Sequence, residues 1–219
     1  DPYDLLKYVS ENFYGKCNYV IDGGGTVTQM SMQDLNVAQD QNIILSTAIT
    51  PMGTGLPEAV GASIASSKSV ILFVGEGSFQ FNIQELATIK YHKLPIIIIV
   101  IDNGGYLSIK NTQKQFLESN YLGVDNNSGL EFPRLSNIAE AYSTNYLKIT
   151  DNNQFSLINE AFEKKDSTII EVLSNTNREV EPRIAFRYSE TEGKNFSLPL
   201  SDMDPEIDMS DDQYFRNQS

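Results

Sequence analysis

Two stretches of this chain, SVILFV (69–74) and LPIIIIVI (94–101), are apolar at nearly every position. A strand with one wet face alternates apolar and polar residues; a run without alternation belongs to a strand covered on both faces, the signature of a parallel sheet sandwiched between helices. Both runs stop at small polar clusters, Gly75-Glu76-Gly77-Ser78 and Asp102-Asn103-Gly104-Gly105. A carboxylate and a carboxamide therefore stand, flanked by glycines, at the ends of two buried strands.

The rest of the chain supplies alternating partners. YDLLKYVSENF carries Leu5, Leu6, Val9 and Phe13 at helical spacing, NYVID is a short strand ending at Gly23-Gly24-Gly25, and NIILST is a strand followed by the break TPMGTG. LPEAVGASIASS is predicted as a small-residue helix with Pro57 in its first turn. SFQFNIQELATIKYH is predicted as one helix between the two apolar strands. Residues from about Gly104 to Phe132 read as a loop, then PRLSNIAEAYS as a helix, NYLKI as a strand, NQFSLINEAFEKK as a helix and STIIEVL as a strand. This alternation predicts a three-layer α/β/α open parallel sheet over residues 1–173, with 174–219 as an extended acidic tail.

Bulk properties narrow the function classes. With 40% hydrophobic residues in 219 the chain can bury one sizeable core. No apolar run approaches the roughly 18 residues of a membrane span. The opening DPYDLL reads as the start of a helix, not as a signal peptide. A single cysteine, Cys17, excludes an internal disulfide framework and a cysteine zinc site, and is compatible with a cytoplasmic location. The net charge of −13 argues against nucleic acid and anionic membranes as partners.

In open parallel sheets ligands sit at the carboxyl ends of strands beside a topological switch. Four glycine-marked breaks qualify: 22–26, 50–55, 75–78 and 102–105. None reads G-x-G-x-x-G, and there is no G-x-x-x-x-G-K-[ST], so dinucleotide and P-loop sites are poorly supported. Glu76, Asn103 and a main-chain carbonyl near Gly105 offer oxygen ligands to a hard cation such as Mg²⁺, completed by ligand phosphates. Gly77 and Ser78 fall where a helix begins, so their N–H groups suit an anion. Ordinary turn and cap chemistry would use the same residues.

The two ends taken together resemble the diphosphate-binding motif of thiamine-diphosphate enzymes, which opens G-D-G and closes on Asn. Here Glu76 to Asn103 spans 27 positions. GEGSFQFNIQELATI, LPIIIIVIDNGGYLSIKNTQ and PMGTGLPEAVGA are similar to the acetolactate synthase branch, especially the synthase-like enzymes of sugar and capsule biosynthesis, and FSLPLSDMDPEI resembles its closing segment. The resemblance covers nearly the whole chain.

That resemblance implies that Glu76, Asn103 and the Gly105 carbonyl hold Mg²⁺, that Gly77 and Ser78 bind the cofactor diphosphate, and that Gly25 and Thr26 approach it. It implies that Met52 wedges beneath thiamine diphosphate to enforce its bent conformation, while backbone groups of Thr50 and Met52 meet the pyrimidine edge. The expected reaction is decarboxylation of pyruvate or a related 2-keto acid with transfer of the two-carbon unit to a keto acceptor. Alternatives are a 2-keto acid decarboxylase of the phosphonopyruvate or sulfopyruvate type, and a non-catalytic domain that has lost the cofactor. The activating glutamate of such enzymes belongs to a pyrimidine-binding domain with no counterpart here. The chain is therefore expected to be inactive alone, as a fragment or a split subunit, and to work with that domain in a homodimer or homotetramer. One departure stands out: Glu76 replaces the family's aspartate and is longer by one methylene, about 1.5 Å. With Mg²⁺–oxygen distances near 2.1 Å, this predicts a withdrawn loop. Among other residues, His92 is expected to be exposed. Tyr106 and Lys110 either line the substrate side or pack, and Arg178, Arg183 or Arg187 could meet an acidic substrate.

Overall fold

The computed structural model describes residues 1–66, 68–199 and 202–205. The chain divides into two compact units, Asp1–Arg178 and Glu179–Ser219. The first contains a six-stranded sheet built from β1 (Cys17–Ile21), β2 (Ile43–Ile44), β3 (Ser69–Gly75), β4 (Ile96–Asp102), β5 (Asn145–Ile149) and β6 (Thr168–Leu173). Every pairing is parallel and the order is β2-β1-β3-β4-β6-β5. After β2 the chain crosses back over β1 to place β3 on its other side, which opens a switch-point crevice between the carboxyl ends of β1 and β3.

Both faces are covered, as the unbroken apolar strands require. On one face Val70, Leu72 and Val74 of β3 and Ile96, Ile98 and Val100 of β4 pack with α3 (Gly55–Ala65), α5 (Glu85–His92) and α7 (Leu135–Ala141), through Leu56, Ala59, Leu86, Ile89, Leu135 and Ile138. On the other, Tyr19 meets Phe73, and α1 (Pro2–Phe13) lies against α8 (Ser156–Glu163) through Phe13 and Phe162, ring centroids 4.8 Å apart. Fully burying one such side chain contributes about 1.5–3 kcal/mol, so these two layers hold the strand ends that form the site. Cys17 is buried, and that burial pushes its thiol up to about 12. Among the described residues no helix is long and apolar enough to cross a membrane.

Several elements differ from the sequence reading. The helix expected over 78–92 runs as α4 (Glu76–Phe79), a 3₁₀ turn (Gln80–Asn82) and α5, with right-handed helical backbone kept at Gln80, Ile83 and Gln84, while the Asn82 side chain donates to the Gly53 carbonyl at 2.6 Å. Two helices lie where the sequence shows a loop or no marked element: α2 (Gly25–Asp34) and α6 (Leu107–Phe116). Leu107 is the one buried side chain of α6, so no apolar stripe announces it. β2 contains two residues of the six in NIILST.

The second unit is not featureless. β7 (Arg183–Ile184) pairs antiparallel with β10 (Met203–Asp204), and β8 (Phe186–Ser189) forms a hairpin with β9 (Lys194–Ser197). Arg183 bonds Asp204 at 3.0 Å and also pairs with Glu179. Residues 206–219, and so part of the closing segment FSLPLSDMDPEI, lie outside the described residues.

Candidate functional site

β1, β3 and β4 end side by side: Ile21 is level with Phe73, and Gly75 with Ile101. Glu76, which begins α4, is 4% exposed, and Asn103, just past β4, is 8% exposed. Glu76 Oε1 accepts the Gly105 N–H at 2.6 Å and the Asn103 N–H at 3.2 Å. With its amide nitrogen turned toward the carboxylate, Asn103 donates to the same Oε1 at 3.3 Å and to the Gly105 carbonyl at 2.9 Å. Half a turn of that amide replaces the nitrogen by Oδ1, leaving a carboxylate, an amide and a main-chain oxygen around one point. This donor set fits a hard, oxygen-preferring cation that completes its shell with phosphate or water. Among the described residues no three His, Cys, Asp or Glu side chains gather into a metal cage, so a cation here relies on mixed donors. Burial pushes the Glu76 carboxyl up to about 7; the Gly105 N–H opposes that rise and neighbouring Asp102 adds to it.

The 103–105 loop is clamped from outside. The Tyr106 N–H donates to the Val124 carbonyl at 2.9 Å, and a side chain on Gly105 would collide with that same carbonyl. The Tyr106 ring covers Gly77 and meets Phe132 edge to face at 5.4 Å. Lys110 is drawn away into an ion pair with Asp125 at 3.0 Å.

A cavity of about 150 Å³ lies over these strand ends, lined by Gly24, Gly25, Thr26, Met52, Glu76, Gly77, Ser78, Asn103, Gly105 and Tyr106, among others. It brings together eight of the nine residues singled out from the sequence. Thr50 is not in its lining; it is exposed, with φ +41, an unusual conformation for a β-branched residue. Glu76 also borders a second cavity of about 380 Å³, with Asp102, Arg134, Tyr146, Lys148 and Glu171 in its wall. There the buried Glu171 carboxylate accepts from Tyr146 Oη and Lys148 Nζ.

The comparisons with known proteins bear directly on this strand-end arrangement. The family described as "Thiamine pyrophosphate enzyme, C-terminal TPP binding domain" matches residues 23–172. The chain belongs to this family. It is 28% identical to the acetolactate synthase large subunit of Porphyra purpurea over 186 residues, covering 84% of this chain and 31% of that protein. It is 34% identical to the acetolactate synthase isozyme 2 large subunit of Escherichia coli over 118 residues, 53% of this chain and 21% of that one. The chain thus spans less than a third of the length of these relatives. In fold it is similar to the benzoylformate decarboxylase of Polynucleobacter necessarius, with a TM-score of 0.73, 22% identity, and coverage of 84% of this chain and 34% of that one. The 4-hydroxybenzoylformate decarboxylase of Rhodococcus jostii gives 0.71 and 24%, covering 80% and 32%.

Some sequence candidates are placed away from the cavity. His92 is exposed at the end of α5, and Arg178 pairs with Asp1 at 2.8 Å. The sequence marks the break 22–26 as a candidate but assigns no role to Asp22, the buried carboxylate that closes NYVID. It accepts the N–H groups of Gly53 at 3.1 Å and Gly55 at 2.7 Å, and the Ser78 hydroxyl. The available signal was an acid at the end of an apolar strand, immediately before three glycines.

Proposed function

We propose that this chain is the diphosphate-binding part of an acetolactate synthase-like enzyme that decarboxylates pyruvate or a related 2-keto acid and transfers the two-carbon unit to a keto acceptor. The observation that carries the reading is the convergence of Glu76, Asn103 and the Gly105 carbonyl beside Gly77 and Ser78 at the ends of β3 and β4. In this reading those three groups hold Mg²⁺. Main-chain N–H groups of Gly77 and Ser78, with Gly25 and Thr26, bind the diphosphate. Met52 supports the bent cofactor from below, and backbone groups of Thr50 and Met52 meet its pyrimidine edge. The bound cofactor contributes the nucleophilic carbon and the electron sink for loss of CO₂. This chain's share is to bind, orient and exclude water, with the Tyr106 ring closing over Gly77.

Activity in this reading needs a pyrimidine-binding domain, in the same chain or a partner's, within a cytoplasmic homodimer or homotetramer. The short span of this chain against its relatives, which are large subunits, supports that requirement. Calorimetry on the protein together with that domain is expected to show thiamine diphosphate binding only when Mg²⁺ is present. Binding that ignores the metal would remove the reading. Product analysis with pyruvate alone then separates carboligation, which yields acetolactate, from simple decarboxylation, which yields acetaldehyde.

A further inference from the structure

We infer that Asp22 is a positioning residue: its carboxylate fixes the loop that carries Met52 against the ends of β1 and β3, and commits the Ser78 hydroxyl to the protein rather than to a ligand. The inference rests on the proposed function for what Met52 does, but its geometry stands apart from that reading. Asp22 is 3% exposed, and no cation is among its hydrogen-bond partners. Burial without a counter-charge penalises its ionised form, and its carboxyl is raised accordingly.

What the carboxylate holds is one short segment. The Gly53 N–H is shared between Asp22 Oδ1 at 3.1 Å and Ser78 Oγ at 2.9 Å, while Asn82 Nδ2 donates to the Gly53 carbonyl at 2.6 Å. Gly53, the residue directly after Met52, is therefore gripped at both its N–H and its C=O. Asp22 Oδ2 takes the N–H of Gly55, where α3 begins. Sterics complete the fixation. Gly53 has φ +87, and a side chain there would overlap Phe81; a Cβ on Gly23 would strike the Pro51 carbonyl. The Met52 side chain is thereby seated over the first strand end, with Cγ 3.1 Å from where a Gly24 Cβ would stand. Ser78 Oγ donates to Asp22 and lies 3.2 Å from the Gly23 carbonyl, so its single O–H donor is spent inside the protein. The groups left for an anion at Gly77 and Ser78 are main-chain ones.

The test compares wild type with Asp22→Asn in the full protein. The asparagine keeps the shape but turns an NH₂ toward donors. Without cofactor, hydrogen exchange at the Gly53 and Gly55 amides is expected to accelerate at least tenfold, while amides of β3 and β4 keep wild-type rates. With Mg²⁺, the dissociation constant of thiamine diphosphate by calorimetry is expected to stay within threefold, while kcat on pyruvate falls about a hundredfold. Ser78→Ala is the second variant: it should accelerate exchange at Gly53 and leave Gly55 protected. Exchange rising uniformly across the sheet would reduce Asp22 to a general stabiliser and overturn the inference. So would a dissociation constant raised more than tenfold with kcat intact. If Asp22→Asn does not fold, the Ser78→Ala exchange pattern decides alone. Wild-type protein that fails to bind the cofactor would refute the proposed function, while the exchange result would still judge Asp22.

Discussion

Replacing Glu76 by glutamine tests whether the buried carboxylate at the end of β3 is held under electrostatic stress. Burial moves its carboxyl from the usual 4.5 to about 7 in the folded chain. Between those values the native state binds more protons than the unfolded chain, so this group's contribution is fully present below about pH 4.5 and is lost as pH rises through about 7. At about 1.4 kcal/mol for each pH unit separating the two values, the loss amounts to about 3 kcal/mol. Glutamine fills the same space, offers an oxygen to the Gly105 and Asn103 N–H groups, and does not ionise. At pH 4, where this carboxyl is mostly protonated both folded and unfolded, the two proteins should melt within about 1 °C of each other. At pH 8, without cation or cofactor, Glu76→Gln should melt higher by about 6–12 °C, from about 2–4 °C per kcal/mol for a unit of this size. Asp22 is also raised by burial but titrates in both proteins and drops out of the difference, while Asp102, whose charge repels the Glu76 carboxylate, is relieved in Glu76→Gln and adds in the same direction. Thermal unfolding followed by circular dichroism at the two pH values reads the effect. Parallel pH dependence in both proteins would refute the reasoning, because the Glu76 charge would then be as well solvated folded as unfolded.

Three further substitutions probe the same strand ends. Asn103→Ala removes one of the three converging oxygens and should weaken Mg²⁺-dependent cofactor binding more than a hundredfold by calorimetry, with the circular dichroism spectrum unchanged. Gly105→Ala places a methyl on the Val124 carbonyl at φ +149, and should destabilise the fold by about 3 kcal/mol in urea titration. Thr50→Gly relieves a β-branched residue at φ +41 and should raise stability by up to about 1 kcal/mol in the same titration.

The core and the strand ends were legible from residue order alone. SVILFV and LPIIIIVI are buried strands because short, continuously apolar, β-branched runs bounded by glycines suit a strand covered on both faces. The same runs placed Glu76 and Asn103 just past the carboxyl ends of two buried strands, and the register that sets Gly75 level with Ile101 brings those ends together. Elements without an apolar stripe were not legible. α6 is polar around almost its whole circumference, and α2 begins at Gly25 with little periodicity, so neither carries the signal that marks α1 or α8. Nor was the bond from Asn82 to the Gly53 carbonyl legible, since it joins residues 29 positions apart.

Sequence by itself determined the layer architecture, the glycine-marked strand ends and the family, because burial period and local motif chemistry are properties of adjacent residues. Only the tertiary structure decided how those ends are tied. Asp22 reaches Ser78 across 56 positions, and Glu76 Oε1 reaches the N–H groups of the 103–105 loop. Val124 sets the position of Gly105 from a segment that reads as plain loop. These contacts join residues far apart in the chain, and nothing in a linear pattern specifies which buried donor will meet which buried acceptor. The packing of two helical layers on the sheet brings them within hydrogen-bonding distance, and once desolvated nearly all such groups find a partner.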